Sequence, residues 1–213
     1  MRHKKTKALL AYYGTLLAAA NEDADPEDRL LPERTAVDPA DCKGLLGDMF
    51  ILEASDDGPL YRLAGTRLCA LLGSELRGHG FGVGFNASET RHAALIGRTT
   101  GHDGNGRFLC TMGTDADGRR CVLETLLLPL AHEGRRCARL LGMTVVDEEE
   151  DQALPYPVGE QKVVAMRAVD VWGSAPVPRL TSAFPLPSLT LKGRKTAPPR
   201  LEVIEGGLGS LGR

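Results

Sequence analysis

No stretch of this sequence stays apolar for the roughly 18 to 20 residues that a membrane-spanning helix requires. The nearest approach, Ala8 to Ala20, is interrupted by Gly14 and Thr15. Cysteine is sparse and unpaired. The five residues (Cys42, Cys69, Cys110, Cys121 and Cys137) are odd in number and never form a CxxC pair. That pattern offers neither a zinc site nor a disulfide framework. Buried thiols in a reducing cytoplasm are the expectation. An excess of positive charge is missing too. The formal net charge is −2, so no overall basic field exists to hold nucleic acid. Nor is there an internal repeat.

Catalytic patterns are equally scarce. An enzyme needs a convergent set of groups. The histidines His3, His79, His92, His102 and His132 lie in separate segments without an HExxH spacing, and Ser74 and Ser88 lack the context of a nucleophile elbow. "GFGVGF" follows no strand and opens no helix, which makes it a poor phosphate cradle. Glu124 stands in the apolar run "LETLLL", where an arginine on a neighbouring strand is its expected partner. No catalytic residue and no metal ligand is assigned.

What is present is a core. Hydrophobic residues make up 42% and charged residues 25%, the balance of a globular domain. The basic start and the apolar run after it imitate a secretory leader, and Ala18-Ala19-Ala20 imitates a cleavage site. However, Leu9, Tyr13, Leu16, Leu17 and Ala20 recur at helical spacing, so the reading is an amphipathic helix. An acidic, proline-containing segment follows, with Asp38-Pro39 as a helix start for Ala40 to Leu46. "DMFILEAS" and "PLYRLAGT", joined through Asp57-Gly58, read as a hairpin. Thr66 to Leu72 reads as a short helix. Asn86 and Glu89 resemble a capping box for a longer helix that ends near Gly101. "GRFLCTMGT", "RRCVLETLLLPLA" and "CARLLGMTVVD" are three strands at hairpin spacing. Beyond residue 147, proline-rich sequence predicts a largely irregular extension, with short elements at Val163 to Val171 and "RLEVIEGG".

The strands are apolar at both parities, so both faces of the sheet should be covered, one of them by the N-terminal helix. That helix carries Leu10, Tyr12 and Ala19 outside its main stripe, which calls for burial on more than one side, in a homodimer through residues 7 to 20 or, as the alternative, wholly within the monomer.

This order of elements, with "VDP" (37–39), "LLGDMFILE" (45–53), "YRLAGTRL" (61–68), "LGSELRG" (72–78), "ETLLLPL" (124–130) and "RLLGMTVV" (139–146), resembles the PAS domain family common in alphaproteobacteria, long listed as a domain of unknown function. The resemblance covers Leu30 to Asp147, and "LEVIEGG" is similar to that family's chain end. It implies an α+β fold: a five-stranded antiparallel sheet with helices on one face and an N-terminal helix on the other. The division expected is 1–29 helix and acidic linker, 30–147 PAS-like domain, and 148–213 extension. The implied function is a non-enzymatic sensory or regulatory module of bacterial signal transduction, binding a small-molecule ligand or a signalling protein partner. A ligand would lie between sheet and long helix, against Tyr61, Leu63, His92 and Ile96. Gly65 would permit the bend into the short helix and Thr66 would cap it. Arg62 and Arg67 would brace the turn. No cofactor is fixed. A haem sensor using His92 is one alternative and a ligand-free adaptor another. "NGRFLC" (105–110) is similar to the flavin motif of light-oxygen-voltage domains, but Gly106 takes the reactive cysteine's place and the segment starts a strand, which rejects flavin photochemistry.

Overall fold

The computed structural model describes residues 1–25, 28–55, 57–147 and 157–172. Helix α1 (Lys4–Ala20) leads into turns and a single 3-10 turn, Arg34–Ala36. Then come β1 (Met49–Glu53), β2 (Leu60–Ala64), α2 (Thr66–Leu72), α3 (Thr90–Asp103), β3 (Gly106–Asp115), β4 (Arg120–His132), β5 (Arg135–Val146) and β6 (Val158–Val169). The strands form one sheet in the order β2-β1-β5-β4-β3-β6, with every pairing antiparallel.

The sheet has six strands where the sequence predicts five. The added strand comes from the segment read as a largely irregular extension. β6 pairs with β3 from Gly106↔Val169 to Asp115↔Val158, and bulges at two points. Its apolar residues lack regular alternation because only one edge and parts of its faces are covered, so Val158, Gln161 and Val169 alone are buried. The expected strand "RLEVIEGG" lies outside the described residues.

Neighbouring residues of each central strand point to opposite faces, and each face has its own core. On one face Phe50, Leu52, Leu109, Leu123, Leu127 and Leu140 pack with Leu68 and Leu71 of α2 and Ala93 and Ile96 of α3. On the other, Met49, Ile51, Leu126, Leu128, Leu130, Leu141 and Met143 pack with Leu9 and Tyr13 of α1. The largely apolar sequences of β4 and β5, apolar at both parities, follow from this two-sided burial. A hydroxyl pair, Thr125 Oγ1 and Thr144 Oγ1 at 2.8 Å, bridges β4 and β5 inside the first core. Phe50 lies directly opposite Gly142 in the β1–β5 ladder. A Cβ there would enter the Phe50 ring, so the glycine makes room for the aromatic.

α1 is fixed at both ends. His3 is its N-cap, with Nδ1 accepting from Lys5 N at 3.0 Å. At the other end Asn21 donates to Leu17 O at 2.7 Å and pairs with both backbone groups of Leu30. Between them the Tyr13 hydroxyl donates to Pro129 O at 2.7 Å. Leu10, Tyr12, Leu16 and Leu17 are half-buried against this second core, leaving small residues such as Ala8, Ala11, Gly14 and Ala18 outward.

Two local readings are corrected. Ala40 to Leu46 forms a run of turns instead of a helix, because Asp38 Oδ1 takes Ala40 N at 2.7 Å and stops at a local turn. α3 passes through Gly101, where the sequence predicts its end, and runs to Asp103 with Gly104 as its C-cap. Among the described residues no helix is long and apolar enough to cross a membrane.

Candidate functional site

The space between the sheet and α3 is the site the sequence points to, and side chains fill it. Phe50 meets Tyr61 edge-on at 5.4 Å and Phe81 at 6.0 Å between ring centroids. Tyr61 and Phe81 stand 6.1 Å apart, and Phe81 reaches Phe85 at 5.9 Å. Ile96, Leu109 and Leu127 complete the packing. Sequence analysis does not single out Phe81 and Phe85, which sit in the glycine-rich segment "GFGVGF". Their wide spacing among glycines gave no strand or helix period to flag them.

The four predicted lining residues separate into two pairs. Tyr61 and Ile96 are buried in this core, 2% and 7% exposed. Leu63 is 49% exposed and His92 faces solvent. Shared strand parity fails for Tyr61 and Leu63 because β2 bulges between them. Leu52 pairs with Tyr61 and Ile51 with Leu63, so Arg62 is the extra residue and the two side chains take opposite faces. His92 lies on the outer side of α3, its Nδ1 3.3 Å from Glu89 Oε2. That position does not offer its imidazole to the interior as an axial haem ligand.

The β2–α2 turn works differently from its sequence reading. Gly65 is itself the N-cap of α2, with an ordinary φ of −72° and no side-chain cap. Thr66 is the first helical residue instead of the cap. Gly47 O takes over that role by accepting Leu68 N at 3.0 Å. A Cβ on Gly65 would collide with the carbonyls of Leu46 and Gly47. The glycine is needed for that close approach, not for a left-handed turn. The two arginines brace acids: Arg62 pairs with Glu53 at 3.1 Å, and Arg139 reaches the same carboxylate at 2.9 Å. Arg67 grips Asp48 through two bonds of 2.8 and 2.7 Å.

Asp48 also accepts from Lys5 Nζ of α1 at 2.8 Å. Burial would raise its carboxyl pKa, but the bonds from Arg67 and Lys5 outweigh burial and hold it below the usual carboxylate range. His3, Lys5, Asp48 and Arg67 line a small hollow of about 70 Å³ with Thr144. A second, shallow groove of about 340 Å³ lies at the β3–β6 edge, bordered by Met112, Thr114, Arg120 and Lys162.

Glu124 is 4% exposed, and its carboxylate accepts from the backbone amides of Arg2 at 2.5 Å and His3 at 3.2 Å. Its partner is the approach to α1, not the neighbouring-strand arginine expected from sequence. Burial first, then Glu124, pushes the Cys110 thiol up, and burial does the same to Cys42. Neither is poised as a thiolate nucleophile. Among the described residues no group of three or more His, Cys, Asp or Glu side chains converges as a metal site requires.

A model of the PAS domain family matches residues 1–145, which includes α1. The chain belongs to the PAS domain family. Solved structures similar to this PAS chain include a light-oxygen-voltage protein of Rhodobacter sphaeroides, 13% identical, aligned over 51% of this chain and 63% of that one with a TM-score of 0.41. The light state of the Aureochrome1 light-oxygen-voltage domain is 15% identical over 55% of this chain and 92% of its own, with a TM-score of 0.40. A PAS domain from Colwellia psychrerythraea is 11% identical over 48% of this chain and 86% of its own, with a TM-score of 0.38. No curated protein matches the chain.

Proposed function

We propose that this PAS chain is a non-enzymatic regulatory module of bacterial signal transduction whose output passes through contact with a signalling protein. PAS membership supports a signal-sensing role. The observation that carries the choice of partner over small ligand is the filled interior. Phe50, Tyr61, Phe81, Ile96 and Leu109 occupy the space between sheet and α3 that a ligand would need. A ligand entering there would have to displace close-packed aromatic groups. The cytoplasm, where thiols stay reduced, is the compartment this reading assumes.

A homodimer through α1 draws less support. Its large apolar side chains all pack against the core of their own chain, Leu9 and Tyr13 buried and Leu10, Tyr12, Leu16 and Leu17 partly so. The small outward residues leave little apolar area for a two-fold contact.

The test is thermal unfolding against a broad library of metabolites, with haem and flavin included. A ligand at 100 times its dissociation constant would add about 2.7 kcal/mol. The expected result is no shift for any compound. A saturable shift would move the function to ligand sensing and require the aromatic cluster to open.

A further inference from the structure

α3 carries a feature that the filled core leaves unused. Arg91, Leu95, Arg98 and His102 are all exposed, and Leu95 is 54% so. At 100° per residue, these four positions fall within about 60° of arc on one helix face. Their 4-3-4 spacing is that of a coiled-coil seam. Arg136, exposed on β5, adds to the patch, since its guanidinium would lie 3.5 Å from a Cβ at Gly104, where α3 ends. Among the described residues Arg91, Arg98, His102 and Arg136 form no ion pair. The adjacent carboxylate of Glu89 is engaged by His92. The β1–β2 turn approaches α3 at Ala94 through Gly58, and its exposed Asp57 pairs with none of these cations. A chain with a net charge of −2 thus concentrates positive charge around one exposed leucine.

We propose that this face of α3 docks an acidic helix of a partner protein, with carboxylates set against Arg91, Arg98 and Arg136 and an apolar side chain against Leu95. A second copy of the same face is disfavoured, because a two-fold axis through it would set arginine against arginine. The patch is one helix long, about 21 Å, which suits two heptads of a partner helix. Charge complementarity of this kind speeds encounter and selects the partner, while the central apolar contact limits dissociation. The inference rests on the reading that output passes through protein contact, and names where.

The experiment uses the full chain in the cells that make it. A photo-crosslinking residue replaces Leu95 in one version and Ala11, on the exposed face of α1, in another. The expected result is an adduct at position 95 that maps to an acidic helical segment of another protein and is absent at position 11. Arg91→Glu with Arg98→Glu should lower its yield about tenfold, with the melting temperature unchanged. Several results overturn the proposal: no adduct at 95, an adduct with nucleic acid, lipid or a second copy, a neutral or basic partner segment, or a yield indifferent to charge reversal. A protein adduct at position 11 alone sinks this surface and leaves regulation by protein contact standing.

Discussion

Gly65 and Asp48 show how single residues set the geometry around the β2–α2 turn. Gly65 has a backbone conformation any residue can adopt, yet it lies against the carbonyls of Leu46 and Gly47. Gly65→Ala must therefore push two backbone segments apart, and should cost about 1 to 3 kcal/mol of stability. Thr66→Ala, at an exposed first helical position with no capping bond, should stay within about 0.5 kcal/mol. Urea unfolding of both variants checks the pair, and a larger loss for Thr66→Ala would restore the threonine cap. Asp48 makes a prediction in pH. Its folded-state pKa is depressed, so the folded chain keeps the carboxylate charged to lower pH than the unfolded chain does. The stability it provides is complete above about pH 4, near the unfolded value, and is lost as pH falls through the folded one. Asp48→Asn should therefore be less stable than the parent at neutral pH, by about 1 to 3 kcal/mol. The gap should close as the pH is lowered below about 4. Chemical denaturation across that range measures it, and a gap that widens in acid would contradict the assignment.

Elements were legible where both faces of the chain were buried or where a turn announced itself. β1, β4 and β5 are apolar at most positions of both parities, and Asp57-Gly58 and "DADG" mark the turns after β1 and β3. β6 was not legible as a full strand because it covers an edge: Val164 and Met166 are 44% and 52% exposed. Periodicity has no signal to give when neither face of a strand is consistently buried. The bulge at Arg62 was invisible for a related reason, since a period-2 argument presumes an unbroken ladder. The stripe of Arg91, Leu95, Arg98 and His102 was present in the sequence at helical spacing. A charged face of this kind reads from sequence as an ordinary solvated helix surface. For β6 the consequence is measurable. A chain ending at Ser174 should keep the melting temperature of the whole protein, whereas one ending at Asp147 loses the buried Val158 and Val169 and the Thr111–Gln161 bond. Burial of two valines alone amounts to about 3 kcal/mol. Equal stability of the two truncations would make β6 an accessory strand.

At the scale of the whole molecule, two cores share one sheet. The α1 side closes it through Tyr13, Glu124 and Asp48, and the α2–α3 side closes it through the aromatic cluster. Both faces are covered from within the chain among the described residues, and the proposal of signalling through the outer surface rests on that. On the proposed function, Tyr61 and Ile96 serve as core residues, not as a ligand lining. The most direct test is native mass spectrometry of the protein taken from its own cells. The expected result is the bare polypeptide mass in the free population, beside a complex whose added mass is that of another protein. A small molecule retained in stoichiometric amount would contradict it.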